Sequence, residues 1–346
     1  MIRTGIIGAT GYAGVECVRL LSAHPGFDVS CLVSKSFEGF KISDVYPSLA
    51  GICDIACEAL DYDIILNKAD CFISALPHAA SQEVVHTLVM AGKKVVDLSA
   101  DYRYSSACLY ENTYNSQHHY PELLEKAVYG LPEFNREKIR DAVLVANPGC
   151  YPTCSILGLA PLVAKGLIDN GTITISAVSG VSGAGRKTEL DYQFCECDGN
   201  FAPYKITGHR HTTEIEEQLS ILAGTNIAVG FTPHLAPMKR GMSATIFAKA
   251  VKKTSSSGLI DMYKEFYKGN PFIRIKEGGA IPSIKAVAGS NFADIAPFYD
   301  GRLDRIIVVS AIDNLGKGAS SQAVQNLNIM YGYDETAGLM NAGAYI

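Results

Sequence analysis

Gly8-Ala9-Thr10-Gly11-Tyr12-Ala13-Gly14 follows a short apolar run, residues 3–7, and precedes Val15, Val18 and Leu21, which recur at helical spacing as far as His24-Pro25-Gly26. This is the pattern of a strand, a glycine loop and a helix. Glycines at such a junction let the backbone turn tightly and approach a pyrophosphate, which then rests on the helix N-terminus and its unpaired N–H groups. The spacing is GxxGxxG where GxGxxG is commoner, and a plain tight turn before a helix would read the same way. Its place at the start of a βαβ unit favours a dinucleotide site. Gly8, Thr10, Gly11, Tyr12, Ala13 and Gly14 are the candidate contacts.

The next strand, residues 28–33, ends in Ser34-Lys35-Ser36, where a site for NAD would place Asp or Glu on the ribose 2′-hydroxyl. The first acid is Glu38. Two hydroxyls and an ammonium suit a 2′-phosphate, so NADP(H) is expected over NAD(H); a solvated loop is the other reading of these three residues. The alternation continues with a strand at 71–76, a helix at 80–90, a strand at 94–98 and a strand at 142–146, which together predict a doubly wound parallel sheet. Leu76-Pro77-His78 and Ser99-Ala100-Asp101-Tyr102-Arg103 fall at the carboxyl ends of strands, where such sheets bind ligands. Leu76 and Pro77 join the candidate cofactor contacts, His78 reads as a loop cap, and Arg103 as an anion contact or an ordinary ion pair.

The 346 residues, 48% hydrophobic and 19% charged, are enough for two domains with separate cores. A net charge of -5 gives no general attraction to nucleic acid or to an anionic membrane, so any phosphate must be held locally. The sequence moves from Met1-Ile2-Arg3-Thr4 into an apolar strand with no signal-peptide pattern and no run of 18 apolar residues, and a cytoplasmic location is expected. The ten cysteines are spread through predicted strands and helices in a chain too large to need staples, and read as thiols. Cys195-Glu196-Cys197, and Cys150 with Cys154, lack the repeated spacing of a structural zinc site, so no metal is expected.

Asn147-Pro148-Gly149-Cys150-Tyr151-Pro152-Thr153 places a thiol on a turn between the strand at 142–146 and a helix expected over 154–165. The positive end of a helix dipole and free N–H groups favour thiolate there; a buried structural cysteine is the alternative. Beyond Cys150 the strands become β-branched, at 172–176, 227–231, 243–251 and 305–312, which predicts an α+β domain with a mixed or antiparallel sheet. Between them lie the glycine-rich cationic loop 179–187, containing Ser182, Gly183, Arg186 and Lys187, and Gly208-His209-Arg210-His211, just ahead of a helix expected near Thr212. Lys239-Arg240 add two more candidate cations, and His234 reads as a hydrogen-bonded core histidine. Asp313-Asn314-Leu315-Gly316-Lys317-Gly318 opens a helix expected over 319–330, which returns the chain to the first domain. Residues 1–148 with 314–346 are thus expected to form the nucleotide domain, and 149–313 the substrate and oligomerisation domain.

These segments in this order resemble the N-acetyl-gamma-glutamyl-phosphate reductases of the semialdehyde dehydrogenase group over essentially the whole chain. Besides the stretches already quoted, Tyr129-Gly130-Leu131-Pro132-Glu133 carries the likeness. The resemblance implies a Rossmann-type domain joined to an α+β catalytic domain, NADP(H) as cofactor, and reduction of an acyl phosphate to a semialdehyde with release of inorganic phosphate, a step of arginine biosynthesis. It implies Cys150 as nucleophile and His209 as acid/base, with the choice between His209 and His211 open. Arg103, Ser182, Gly183, Arg186 and His211 would meet the substrate. Gly8 to Gly14, Ser34, Lys35, Ser36, Leu76, Pro77, Asn314 and Gly318 would meet the cofactor. A homodimer or homotetramer is expected. Reduction of another acyl phosphate, aspartyl or carrier-linked aminoadipyl or glutamyl, is the nearest rival, and a non-catalytic NADPH-binding redox sensor the more distant one.

Overall fold

The computed structural model describes residues 1–186 and 188–345. The chain divides into two units, residues 1–149 with 319–340, and residues 150–318 with 341–346. Residues 314–318 and 341–345, expected in the first unit, lie in the second, where the Ala344 N–H donates to Ala288 O at 2.9 Å.

Among the described residues, the first unit holds a seven-stranded sheet of β1 (Ile2–Ile7), β2 (Phe27–Val33), β3 (Cys57–Glu58), β4 (Cys71–Ser74), β5 (Lys94–Asp97), β6 (Val128–Tyr129) and β7 (Leu144–Ala146), in the order β3-β2-β1-β4-β5-β7-β6. Every pairing is parallel. The strand order reverses between β1 and β4, which opens a crevice at their carboxyl ends. Two backbone loops meet there. A Cβ built on Gly8 would lie 2.6 Å from Ala75 O, and Gly8 has a φ of +80°, so both space and conformation require glycine. The helix Ser321–Met330 packs on the helices Tyr12–Leu21 and Pro132–Asp141 and on β5. It is buried throughout, and two of its amides donate outward: Asn328 to Ala337 O at 2.9 Å, and Gln325 to Glu335 at 2.8 Å. One turn of π-helix, Gly316–Ser320, precedes it, where an unbroken helix from 319 was expected.

Among the described residues, the second unit is built on β8 (Thr174–Gly180), β9 (Ala202–Pro203), β10 (Gly230–Ala236), β11 (Met242–Lys249), β12 (Ile273–Ile275), β13 (Ala293–Asp300) and β14 (Arg305–Ile312), in the order β12-β13-β14-β11-β8-β10-β9. Its pairings are mixed: β8 runs parallel to β10 and antiparallel to β11. The helix Cys150–Ala164 packs on β11, β14 and the helix His211–Ala223. It is buried from Tyr151 to Val163, as an apolar helix must be. Pro161 lies inside it and cannot donate to Leu157 O four residues back; the Tyr267 hydroxyl supplies that bond at 2.5 Å, and Tyr263 bonds the next carbonyl, Gly158 O, at 2.6 Å. Among the described residues, no helix is long and apolar enough to cross a membrane.

The glycine loop can be tested by its geometry. A Cβ on Gly14 would stand 2.2 Å from Gly8 O and 2.8 Å from Ala9 Cα, both backbone atoms, whereas on Gly11 it would meet only Gly8 O at 3.5 Å. Gly14→Ala should cost about 2 kcal/mol or more, read from the urea midpoint, and Gly11→Ala within about 0.5 kcal/mol. Equal costs would contradict this account.

Candidate active site

The helix expected from residue 154 begins at Cys150 itself. The half-buried thiol therefore stands on the first residue of a 15-residue helix, among N–H groups that no residue of that helix can accept from. Its neighbour in the second unit is Gly318, where a Cβ would come within 2.8 Å of Cys150 Cβ, so only glycine lets the chain pass. Asp313 holds this passage. Its Oδ1 accepts the Leu315 and Gly316 N–H groups at 2.9 and 3.0 Å, its Oδ2 accepts the Gly289 N–H and forms an ion pair with Arg240 Nε at 2.8 Å, and its carbonyl accepts the Gly318 N–H at 2.9 Å.

His209 lies buried in an aromatic box, with ring centroids 5.6 Å from Tyr151, 5.4 Å from Tyr204, 5.4 Å from Phe231 and 4.9 Å from His211. Burial, reinforced by the charges of Arg210 and Lys205, lowers its pKa to about 4. Its Nδ1 accepts the His211 N–H at 3.1 Å. At neutral pH the ring is thus uncharged, with its proton on Nε2, ready to donate. Beside it Tyr204 donates to the Tyr151 hydroxyl at 3.4 Å, which donates to His234 O at 3.1 Å. Burial pushes Tyr204 up to about 12 and Tyr151 higher still, and the Cys150 charge adds to both shifts. Both phenols are protonated at physiological pH.

In the first unit, Gly8 and Gly11 carry bare backbone into the start of the helix Tyr12–Leu21 and Gly14 lets that helix close on Gly8, so the helix N-terminus has no side-chain cap and suits a pyrophosphate. Thr10 and Ser34 are buried and share a 2.7 Å hydroxyl hydrogen bond, while Lys35 and Ser36 are exposed and can reach a 2′-phosphate. The residues fit the expected cofactor.

Residues 3–142 match the family model for the semialdehyde dehydrogenase NAD binding domain, and residues 150–314 the semialdehyde dehydrogenase dimerisation domain. The chain is 56% identical over 346 residues to the N-acetyl-gamma-glutamyl-phosphate reductase of Acetivibrio thermocellus, covering 100% of both chains. It is 52% identical over 345 residues to that of Desulforudis audaxviator, again covering 100% of both. This chain belongs to the N-acetyl-gamma-glutamyl-phosphate reductase family. The aspartate semialdehyde dehydrogenase II of Vibrio cholerae, solved with its semialdehyde, has the same fold at 18% identity, with a TM-score of 0.73 over 96% of this chain and 98% of that one.

Within this member of the reductase family, the second unit brings Cys150, His209 and His211 around Tyr151, the last two by direct ring contact. Ser182 accepts from Asn314 Nδ2 at 3.0 Å, and Asn314 Oδ1 accepts the Gly241 N–H at 2.6 Å, so the expected cofactor contact Asn314 braces two substrate-side loops. Gly183 and Arg186 are exposed on the loop after β8, and Lys187 lies outside the described residues. Arg103 is buried, and its Nε and Nη2 donate to the main-chain carbonyls of Asn147 and Leu98. Arg240 is the partner of Asp313, Lys239 is exposed, and His234 bonds Ala177 O through Nδ1 at 3.2 Å. Sequence reasoning missed Tyr204 and Phe231, which carry no motif. It quoted Tyr151 and Asp313 without giving them roles, although their places beside Cys150 and at a glycine-rich turn were visible.

The ring of His209 should show no protonation between about pH 5.5 and 8, and its nitrogen shifts in ¹⁵N NMR should report the Nε2–H tautomer. Because its folded pKa is lowered, its contribution to stability is present above about 6.5 and is lost as pH falls towards 4, where the unfolded ring takes up a proton that the folded one refuses. A midpoint near the ordinary histidine value would overturn the assignment.

Proposed function

We propose that the chain catalyses the NADPH-dependent, reversible reduction of N-acetyl-L-glutamyl 5-phosphate to N-acetyl-L-glutamate 5-semialdehyde and phosphate, a step of arginine biosynthesis. The observation that carries the reading is Cys150 standing as the first residue of a buried helix, in a chain whose whole length matches this reductase family.

Cys150 thiolate attacks the acyl carbon, the C–O bond to phosphate breaks, inorganic phosphate leaves, and a thioester remains on the enzyme. Helix N–H groups beyond Cys150 stabilise the developing oxyanion, a contribution of about 3 kcal/mol per donor in other enzymes. Gly8 to Gly14, Ser34, Lys35, Ser36, Leu76 and Pro77 would hold NADPH, which would supply the hydride for reducing the thioester to a thiohemiacetal. The thiohemiacetal then collapses to the aldehyde and returns the thiolate. His209, neutral with its hydrogen on Nε2, donates a hydrogen bond to the developing oxyanion and keeps its proton, rather than serving as the cationic half of a standing ion pair with the thiolate. His211, Ser182, Gly183 and Arg186 meet the substrate. The dimerisation-domain match supports self-association, which we read as a homodimer or homotetramer.

Cys150→Ser should lower turnover by about 10³-fold or more with NADPH binding retained. His209→Asn should lower it by about 10²- to 10⁴-fold, and His211→Asn by less. The assay is phosphate-dependent NADPH formation from N-acetylglutamate semialdehyde and NADP⁺, with aspartate semialdehyde as control. A wild-type enzyme that prefers the control, or a serine variant that still turns over, would refute the reading.

A further inference from the structure

Tyr151 follows Cys150 directly in the helix that begins there and is buried, with 2% of its surface exposed. Its ring stands edge-on to two others, with centroids 5.6 Å from His209 at an interplanar angle of 83° and 5.4 Å from Phe231 at 72°. His209 and Phe231 also meet edge-on, at 5.4 Å and 73°. Three rings thus close a triangle in which each meets the other two edge to face, an arrangement that the charge distribution of aromatic rings favours. His211 joins from the side, 5.9 Å from Tyr151 and 4.9 Å from His209.

A histidine in an active site is ordinarily oriented by an acceptor on its second ring nitrogen. In His209 that nitrogen, Nδ1, is itself an acceptor, taking the His211 N–H at 3.1 Å. The donor lies two residues along the same turn, so this bond sets the ring within its own segment. Its setting against the helix of Cys150 falls to packing.

Tyr151 is suited to that task because other elements hold it in turn. Its hydroxyl donates to His234 O at 3.1 Å and accepts from Tyr204 at 3.4 Å. His234 and Phe231 both belong to β10, so ring and hydroxyl are braced on one strand. Phe231 and Tyr204 also touch His209, each at 5.4 Å, but Phe231 comes from β10 and Tyr204 from the segment that leads to His209. Of these rings, Tyr151 is the one that shares a helix with the thiol, as its immediate neighbour.

We propose that Tyr151 is a positioning residue for the acyl-phosphate reduction: its ring, braced on β10 by Phe231 and by the His234 carbonyl, sets the His209 imidazole against the helix start that carries Cys150. It touches no reacting atom and acts through His209. The proposal rests on Cys150 as nucleophile and on His209 as hydrogen-bond donor to the oxyanion.

Tyr151→Leu removes the ring and keeps an apolar side chain. In phosphate-dependent NADPH formation its kcat should fall by about tenfold or more, with the KM for phosphate within about twofold of wild type. Tyr151→Phe keeps the ring contacts and loses the hydroxyl, and should hold kcat within about threefold of wild type. In a His209→Asn background, with no imidazole to place, Tyr151→Leu should cost less than about twofold further. If Tyr151→Leu does not fold, Tyr151→Met, also without a ring, carries the same measurements.

A loss of about tenfold that persists in the His209→Asn background overturns the proposal, because the tyrosine would then act independently of the histidine. A Tyr151→Leu kcat within about twofold of wild type overturns it too, as does a Tyr151→Phe enzyme no better than Tyr151→Leu. So does a phosphate KM raised about tenfold at unchanged kcat, which would make Tyr151 a substrate contact. A His209→Asn enzyme as fast as wild type removes instead the reading of His209 beneath the proposal, and the single variant shows that by itself.

Discussion

Asn147 is completely buried, and both its main chain and its side chain are engaged. Its N–H donates to Asp97 O at 2.8 Å, its carbonyl accepts Arg103 Nε, its Nδ2 donates to Ala319 O at 3.1 Å, and its Oδ1 accepts from Asn326 at 3.0 Å. Every hydrogen-bonding group of this residue is thereby fixed, and three residues later comes Cys150. The turn is therefore set by β5, by the loop after it, by the returning segment at 319 and by the helix Ser321–Met330.

Around the second unit's site, burial does most of the electrostatic work. It holds His209 neutral, keeps Tyr204 and Tyr151 protonated, and raises the neighbouring thiol of Cys154 to about 12. Cys154 and Cys150 lie one helical turn apart, yet their surroundings differ. Cys154 is fully buried with its sulfur on Ser310, whereas Cys150 is half exposed at the helix start. Burial disfavours the thiolate of one of two chemically identical groups, while the positive end of a helix favours it at the other.

The passage of Gly318 beside Cys150 shows a second economy. The Asp313 carboxylate accepts from three main-chain N–H groups, pairs with Arg240, and leaves the following glycines to run close to the sulfur-bearing residue. Asn314 next to it ties the loop after β8 to the turn before β11. A short acidic and amide pair thus organises three loops, and this explains why the stretch 313–318 reads as a motif even where its side chains are bracing.

The sequence by itself determined the two units, the parallel sheet of the first, the mixed sheet of the second and the glycine cradle, because period, β-branching and glycine spacing are local properties of the chain. It also determined Cys150 and the histidine pair as the candidates for chemistry, since residue type and motif order carry that information. Only the tertiary structure decided that the helix starts at Cys150, that His209 is a neutral Nε2–H donor boxed by Tyr151, Tyr204 and Phe231, and that Arg103 and Asn314 hold backbone and loops together. Those properties depend on burial and on partners distant in the sequence: Asn147 and Asn326 are 179 residues apart and Ser182 and Asn314 are 132 apart, and no local pattern records which distant donor will meet which acceptor.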